Sequence, residues 1–292
     1  MSTEIELKLL LPASARASLI AHPLLQNIPA EQFTLSNIYC DTPQQALTQA
    51  GIALRLRNKG SQWLQTLKAR GEAQGGLHAR QEWEMAIAGP ALEWDKLPTE
   101  VLPVGLTLGA VQPLFETTFE RRTWQVTHND SVIELALDQG LARAGDATQP
   151  IGEIELELIS GKPDDLFSLA EVLAADIPLL PSDISKAERG YRLVNGLSDW
   201  PKTPEQNVSL AAWTSALCRQ CEALPASQSD LKHTLLGLSE RGDIHAGLLH
   251  GLLTALQTDV LHWGDLPSVR RLGQWLLHHC AVLWHNEQNN KE

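Results

Sequence analysis

Charged and aliphatic residues alternate along several short segments of this chain. Residues 4–8 read Glu-Ile-Glu-Leu-Lys, and residues 153–158 read Glu-Ile-Glu-Leu-Glu-Leu. Successive side chains of an extended strand point to opposite faces, so each segment would have one charged face and one aliphatic face. The same alternation occurs at 54–57, 80–85, 121–124 and 134–138. A single strand of this kind is typical of a solvated sheet face, but six in one chain need another explanation.

The makeup of these charged faces favours a closed barrel. A solvated face usually mixes Thr, Ser, Gln, Lys and Glu, whereas these faces hold almost only Arg, Lys and Glu. The signs also segregate, because 55–57 is basic and 153–157 is acidic. About eight strands close around a lumen that side chains or one small ligand can fill. We therefore predict a barrel whose charged faces line the interior and whose aliphatic faces point outward, partly covered by helices.

The chain divides into two regions of different composition. Residues 1–200 read as many strands with few helices, which indicates an antiparallel barrel or sandwich. Residues 200–204, Trp-Pro-Lys-Thr-Pro, read as a linker, so residues 1–200 could fold alone. Residues 205–292 read as four Leu-rich amphipathic helices. The predicted fold class is mainly β with α, with a barrel domain at 1–200 followed by a small all-α domain at 205–292. The predicted strands lie near 3–11, 33–41, 52–59, 62–69, 79–87, 118–127, 131–139 and 151–159, and the predicted helices near 13–26, 43–49, 163–177, 208–224, 227–241, 244–262 and 267–286.

The charges of the predicted lumen suit a polyanion together with metal cations, because buried charges at this density need compensation. Seven basic side chains can bracket phosphate oxygens: Lys8, Arg55, Arg57, Lys68, Arg80, Arg121 and Lys186. Four carboxylates offer hard oxygen ligands for Mg²⁺ or Mn²⁺: Glu4, Glu6, Glu153 and Glu155. Polyphosphate hydrolysis needs charge neutralisation and positioning above all, and a metal can lower the pKa of an attacking water.

An ordered set of motifs resembles the CYTH family, also called triphosphate tunnel metalloenzymes. The Glu4-x-Glu6-x-Lys8 segment resembles the family's ExExK signature. The further motifs follow in the family order: Asn37-Ile-Tyr39-Cys-Asp41-Thr42-Pro43, Leu-Arg55-Leu-Arg57, Thr66-Leu-Lys68, Arg121, Leu137-Asp138, Glu153-x-Glu155-x-Glu157 and Ser185-Lys186. The resemblance covers roughly residues 1–200. It implies an eight-stranded antiparallel barrel with a polar tunnel.

The resemblance also implies roles for individual residues. Phosphate contacts are expected from Lys8, Arg55, Arg57, Lys68, Arg121 and Lys186, and Arg80 joins this substrate-binding set from its place on the inner face. Two divalent ions, Mg²⁺ or Mn²⁺, are expected to bind to Glu4, Glu6, Glu153 and Glu155. Asp138 is expected either to bind a metal ion itself or to contact a residue that does. We predict that the catalytic residues are Glu4, Glu6, Lys8 and Lys186. Glu82, Glu84 and Glu134 share the inferred inner face without a specific role.

The helical region is similar to a truncated or diverged CHAD domain, which follows the CYTH domain in bacterial inorganic triphosphatases. Residues 201–292 hold only seven Lys and Arg, fewer than the basic helices of a polyphosphate-binding CHAD domain would carry. We leave open whether it serves as a packing surface or as an oligomerisation surface of a homo-oligomer.

The predicted function is metal-dependent hydrolysis of inorganic triphosphate, or another polyphosphate, to pyrophosphate and phosphate. The alternatives are a nucleoside or thiamine triphosphatase, an adenylate cyclase of the same family, and a non-catalytic polyphosphate-binding module. A net charge of −12 argues against broad nucleic-acid binding. No apolar run approaches the roughly 18 residues of a membrane span, and the chain starts with a charged strand, so we predict a cytoplasmic protein without a membrane partner.

Overall fold

The computed structural model describes residues 2–69, 71–197, 200–224, 226–257, 263–266 and 269–289. The strands are β1 Ser2–Leu10, β2 Ala30–Asp41, β3 Ala53–Lys59, β4 Gln62–Lys68, β5 Glu72–Gln74, β6 Leu77–Ile87, β7 Gln112–His128, β8 Ser131–Ala144, β9 Ala147–Ser160 and β10 Leu180–Pro181. The helices are α1 Arg16–Ile20, α2 Ala46–Gln49, α3 Asp164–Ala174, α4 Lys186–Val194, α5 Leu210–Glu222, α6 Gln228–Glu240, α7 Ala246–Ala255 and α8 Val269–Asn289.

Eight strands close into an antiparallel barrel. Their order is β1-β9-β8-β7-β2-β3-β4-β6, and the pairing of β1 with β6 completes the circle. The short strands β5 and β10 extend from β6 and β1 outside this circle. The predicted fold class, an eight-stranded antiparallel barrel followed by helices, is confirmed. Because the barrel is closed, each of the eight strands pairs with a neighbouring strand on both sides.

The register of the strands places opposite charges directly across from each other. Lys8 pairs with Glu155 between β1 and β9, and Arg121 pairs with Asp138 between β7 and β8. Residues opposite each other in an antiparallel pair share a face, so each pairing fixes two charges on the same side of the sheet. The period-two alternation of the sequence then carries all the charged faces into the lumen.

The aliphatic faces point outward and are covered, as the alternation predicts. On one side, α3 buries Phe167 and Leu169 against Leu7, Leu135 and Ile154 of the barrel. On the other side, irregular chain between β6 and β7 covers β3, β4 and β6, with Leu97 packed in the same cluster as Trp63 and Trp83. The interior of the barrel is therefore free for charged side chains, because the hydrophobic stabilisation lies outside it.

Most predicted elements are found, although several bounds differ and the short strands β5 and β10 were not predicted. The predicted helix at 13–26 is shortened to α1 flanked by two 3₁₀ turns. The helix α4 was not predicted at all. The predicted helix at 244–262 ends at Ala255 as α7, and residues 258–262 lie outside the described part of the chain.

The C-terminal helices pack directly on the barrel. Leu277, Cys280 and Trp284 of α8 belong to the hydrophobic cluster that covers β1, β8 and β9. Leu10 and Leu180 of the barrel belong in turn to the core of the helical region. These shared clusters join the two regions through apolar side chains.

The segment predicted as a linker is also held in place. Trp200 Nε1 donates to Asp230 Oδ2 over 2.9 Å, and the carbonyl of Pro201 accepts from Gln220 Nε2 over 2.9 Å. The division at residue 200 stays a prediction. Among the helices of the described residues, none combines the length and the apolar character needed to cross a bilayer.

Candidate active site

A cavity of about 500 Å³ occupies the interior of the barrel. Its walls are mostly charged side chains. The basic ones are Lys8, Arg55, Arg57, Lys59, Lys68, Arg80, Arg121 and Lys186, and the acidic ones are Glu4, Glu31, Glu82, Glu84, Glu134, Glu155 and Glu157. All seven basic residues predicted to bind phosphate therefore line one cavity. The predicted residues Glu6, Asp138 and Glu153 are buried behind this wall, in contact with lining side chains.

Three carboxylates of β8 and β9 form a compact acidic cluster. One oxygen each of Asp138, Glu153 and Glu155 lies within 4.8 Å of the other two. The Lys186 ammonium sits among them, 2.6 Å from Asp138 Oδ2 and 2.9 Å from Glu155 Oε1, and it also contacts Glu153. The Lys186 ammonium thus offsets part of the negative charge of the three carboxylates, as buried charges require.

A second acidic group, a pair of carboxylates, lies on β1. Lys68 Nζ donates to Glu4 Oε1 over 2.7 Å, and Arg80 Nη2 donates to Glu6 Oε1 over 2.6 Å. Burial raises the pKa of Glu4, but Lys68 and Arg80 outweigh it and lower that pKa far below its usual range. The predicted metal ligands therefore form two groups, and each group is neutralised by basic side chains.

Lys8 connects the two acidic groups. Its ammonium lies 3.1 Å from Glu6 Oε1 and also contacts Glu155 Oε1. Burial disfavours the charged form, but Glu155 and Glu6 more than compensate, so the pKa of Lys8 is raised. Lys8 stays protonated and keeps carboxylates from β1 and β9 together.

Three guanidinium groups, those of Arg55, Arg57 and Arg121, line the same cavity. Burial, and after it the charges of Arg55 and Arg121, lowers the pKa of Arg57 to about 10. Arg57 donates from Nε to Asn37 Oδ1 over 2.7 Å, and no carboxylate of the described residues lies within ion-pair distance of it. Arg121 is already paired with carboxylates, whereas the charge of Arg57 has no such partner, so an anion would bind most favourably beside Arg57.

The positive charge of Arg55 is balanced only by carboxylates that lie beyond hydrogen-bond distance. Its Nη2 atom lies 3.7 Å from Glu82 and 4.0 Å from Glu84, which is too far for hydrogen bonds. Its Nε is buried and lacks a hydrogen-bond partner among the described residues. Two oxygens of a phosphate in the cavity could accept hydrogen bonds from this guanidinium as a bidentate pair.

The donor set also fits a divalent cation. Glu153 Oε2 is buried without a hydrogen-bond partner among the described residues. A buried carboxylate oxygen with free lone pairs beside two further carboxylates is a hard-oxygen arrangement that suits Mg²⁺ or Mn²⁺. The acidic cluster of Asp138, Glu153 and Glu155 is therefore a fitting place for one ion. Glu4 and Glu6 could contribute to a second.

Helix α4 delivers Lys186 to the acidic cluster. Ser185 caps this helix by accepting a hydrogen bond from the Glu188 amide over 3.1 Å, and Lys186 is the first helical residue. The sequence Ser185-x-x-Glu188 has the capping-box pattern that marks a helix start, so this signal could have revealed α4. Recognising α4 would also have shown Arg189 to be a neighbour of the site, because its Nη2 atom lies 3.7 Å from Glu153 Oε2.

Two further lining residues had no predicted role. Burial raises the pKa of Tyr39, but Arg55 and Arg57 outweigh burial and lower it, so its hydroxyl faces the guanidinium groups. Burial raises the pKa of Glu157 to about 7, and the charges of Glu4 and Glu6 add to that shift. The alternation of the sequence places Glu157 on the inner face, but only the closed barrel brings it near the carboxylates of β1.

A closed antiparallel barrel whose lumen is lined by guanidinium groups and carboxylates defines the class of protein. Residues 2–191 match the model of the CYTH domain. The chain belongs to this family. The match ends before α5, so the similarity of the helical region to a CHAD domain stays a prediction.

Two comparisons place the chain among known proteins. It is 37% identical over 209 residues to an inorganic triphosphatase of Haemophilus influenzae, covering 68% of this chain. The aligned part spans 58% of that relative's length. The fold is similar, with a TM-score of 0.51 and 22% identity, to a solved candidate adenylyl cyclase from Hippeastrum described as having a dominant triphosphatase activity. That likeness covers 66% of this chain and 96% of the other.

Proposed function

We propose that this chain hydrolyses inorganic triphosphate to pyrophosphate and phosphate with the help of divalent metal ions. One observation carries the proposal: a single cavity is lined by the guanidinium groups of Arg55, Arg57 and Arg121 together with carboxylates of β1 and β9. Guanidinium groups bind phosphate oxygens, and carboxylates bind the metal ions that accompany them. The similarity to the inorganic triphosphatase of Haemophilus influenzae supports the same substrate.

The position of each side chain in the cavity suggests its role in binding the substrate or the metal ions. Arg55, Arg57 and Arg121 would bind terminal phosphate oxygens, while Lys8, Lys68, Arg80 and Lys186 would neutralise charge along the rest of the chain of phosphates. Glu4, Glu6, Asp138, Glu153 and Glu155 would hold two Mg²⁺ or Mn²⁺ ions. When bound, such an ion lowers the pKa of a water molecule and polarises a phosphoryl oxygen. Lys8 and Lys186 would keep the carboxylates oriented and add positive charge where the transition state accumulates negative charge.

A second candidate is a triphosphate that carries a base or a ring. The specific observation is that Phe33 and Tyr39 line the cavity beside the charged groups. Phe33, however, is covered by the Lys59 ammonium, 4.2 Å from its ring centre, and Tyr39 is stacked on Phe115 at 4.6 Å. Both rings are therefore engaged by the protein, which favours the inorganic substrate. A binding module without activity would not need carboxylates arranged around the same cavity.

The test is release of phosphate from tripolyphosphate, pyrophosphate, ATP and thiamine triphosphate at fixed Mg²⁺. Tripolyphosphate should exceed ATP in kcat/KM by at least about tenfold, which equals roughly 1.4 kcal/mol of transition-state preference. Pyrophosphate should be poor, because it has one phosphate group fewer to contact the basic side chains spread around the cavity. A preference for ATP, or formation of cyclic AMP, would favour the nucleotide-using alternative. Tight binding of tripolyphosphate without turnover would favour the binding module.

The remaining predictions concern the setting of this activity. We propose a cytoplasmic protein whose partner is triphosphate or a longer polyphosphate rather than nucleic acid or a membrane. The negative net charge of −12 supports this, and the basic groups that the described residues concentrate in one place lie in the lumen. Association into a homo-oligomer through the helical region can be measured by light scattering of the full chain.

A further inference from the structure

A buried carboxylate of the helical region lies next to the acidic cluster without belonging to it. Glu222 is the last residue of α5, and its side chain is 8% exposed. It accepts a hydrogen bond from Arg189 Nη1 over 3.0 Å and another from Ser182 Oγ over 2.5 Å. The Ser182 amide in turn donates to the carbonyl of Lys8 over 3.0 Å. Glu222 is thus tied to the strand that bears Lys8 and, through Arg189, to α4.

Arg189 stands between Glu222 and the predicted metal ligand Glu153. Its guanidinium is hydrogen-bonded to Glu222, but its Nη2 atom is 3.7 Å from Glu153 Oε2, beyond hydrogen-bond length. Glu153 Oε2 has no other hydrogen-bond partner among the described residues. The side chains of Arg189 and Glu153 are 6% and 1% exposed, so water screens these charges weakly. The position of one guanidinium therefore decides whether Glu153 Oε2 is free or taken.

We propose that Glu222 is a positioning residue of the tunnel: by retaining Arg189, it keeps Glu153 Oε2 available as a ligand for a divalent cation. Without the charge of Glu222, the Arg189 guanidinium gains more by closing on Glu153 and forming a direct, charge-assisted hydrogen bond. It would then compete with the metal for the same oxygen. The helical region would in this way set the metal affinity of the barrel. This inference rests on the proposed metal-dependent function.

The chain offers a matched control on the same two helices. Arg219 of α5 forms an ion pair with Glu188 of α4, with Nη2 3.3 Å from Oε2. Both side chains are partly exposed, and neither one is in ion-pair contact with Glu153 among the described residues. Glu188→Gln therefore weakens the contact between α4 and α5 and leaves the hydrogen-bond partner of Arg189, Glu222, in place. Any effect shared by Glu188→Gln and Glu222→Gln reflects the packing of the two helices.

The experiment measures Mn²⁺ binding by calorimetry and the dependence of turnover on Mn²⁺, using the full chain. Glu222→Gln should weaken Mn²⁺ binding by at least about tenfold, equivalent to about 1.4 kcal/mol. Glu188→Gln should stay within about twofold of the wild type. The double variant Glu222→Gln/Arg189→Met removes the competing guanidinium and should regain most of the Mn²⁺ affinity. Melting temperatures of all variants separate lost stability from lost binding.

Two results would overturn the inference. Equal losses of Mn²⁺ affinity in Glu222→Gln and Glu188→Gln would show that Glu222 affects metal binding only through the packing of α4 and α5. A double variant that binds Mn²⁺ no better than Glu222→Gln would show that Arg189 does not compete for Glu153. If Glu222→Gln does not fold, Glu222→Asp takes its place. This variant keeps the negative charge on a shorter side chain, so it should weaken Mn²⁺ binding less than is expected for Glu222→Gln but more than Glu188→Gln does. A wild-type chain that binds no Mn²⁺ would contradict the proposed function itself, a different outcome from wild-type binding that Glu222→Gln leaves unchanged.

Discussion

The hydroxyl of Tyr191 on α4 donates a hydrogen bond to Oδ2 of Asp41 at the end of β2, over 2.8 Å. Asp41 is fully buried, and its two oxygens also accept from the amides of Thr42, Leu47 and Thr48 over 2.7 to 3.0 Å. One carboxylate thus shapes the turn into α2 and holds the helix that carries Lys186. The motif residue Asp41 lies outside the cavity wall and supports the site through the backbone.

We expect Tyr191→Phe to lower the free energy of unfolding by about 2 kcal/mol, because a buried carboxylate oxygen loses a hydrogen bond. The change adds no volume and removes no apolar contact, so the loss reports the hydrogen bond. Urea denaturation followed by circular dichroism gives the value. An unchanged midpoint would mean that Asp41 Oδ2 finds another donor or that the bond contributes nothing.

Substitution of Arg57 tests the guanidinium cluster. Arg57→Ala should raise the Kd for tripolyphosphate by at least about tenfold, and Arg57→Lys should recover only part of the loss, since an ammonium cannot form the bidentate contact. Lys59→Ala is the matched control, because Lys59 is on the same face of β3 but more exposed, over the Phe33 ring. It should change the Kd by less than about threefold. Equal increases in Kd for Arg57→Ala and Lys59→Ala would indicate that the basic residues attract the anion through their combined charge, without a defined phosphate contact at Arg57.

Substitution of Glu155 tests the metal requirement. Glu155→Gln should lower kcat by at least about a hundredfold, because a ligand is lost and Lys8, Lys186 and Arg121 lose their shared partner. Excess EDTA should abolish turnover, and Mg²⁺ or Mn²⁺ should restore it. Glu134→Gln is the control, since Glu134 lines the cavity from β8 and has no assigned role. Full turnover in EDTA would exclude the metal mechanism.

Removal of the C-terminal helices tests how far the barrel depends on them. The linker pattern at 200–204 led us to expect that residues 1–200 fold alone, but α8 supplies Leu277, Cys280 and Trp284 to the barrel's outer core. Loss of these side chains should cost at least about 5 kcal/mol, since each large buried side chain contributes about 2 to 5 kcal/mol. A chain ending at residue 197 should therefore aggregate or melt far below the full chain in thermal melts with light scattering. A melting point within a few degrees of the full chain would restore the expectation from the sequence.

The sequence predicted the barrel because its information is local and periodic. The alternation in Glu4–Lys8 and Glu153–Leu158 assigns each side chain to a face, and a face of nearly pure charge cannot be buried except around a polar ligand or counter-charges. The seven predicted basic residues do line one cavity. The predicted ligands Glu6, Asp138 and Glu153 were placed on the correct face, but their burial behind the wall was not foreseen.

The sequence by itself thus determined which residues face the lumen, because strand periodicity depends only on neighbouring residues. Only the tertiary structure decided which charges meet. Contacts such as that of Arg189 with Glu222, or of Lys186 with Asp138, join elements whose separation in space follows from strand order and helix packing. Residues 200–204 show the same limit: a Pro-rich segment reads as a linker, and its hydrogen bonds to α5 and α6 arise only when those helices dock. Long-range pairing depends on loop closure and shape, which a single sequence does not encode residue by residue.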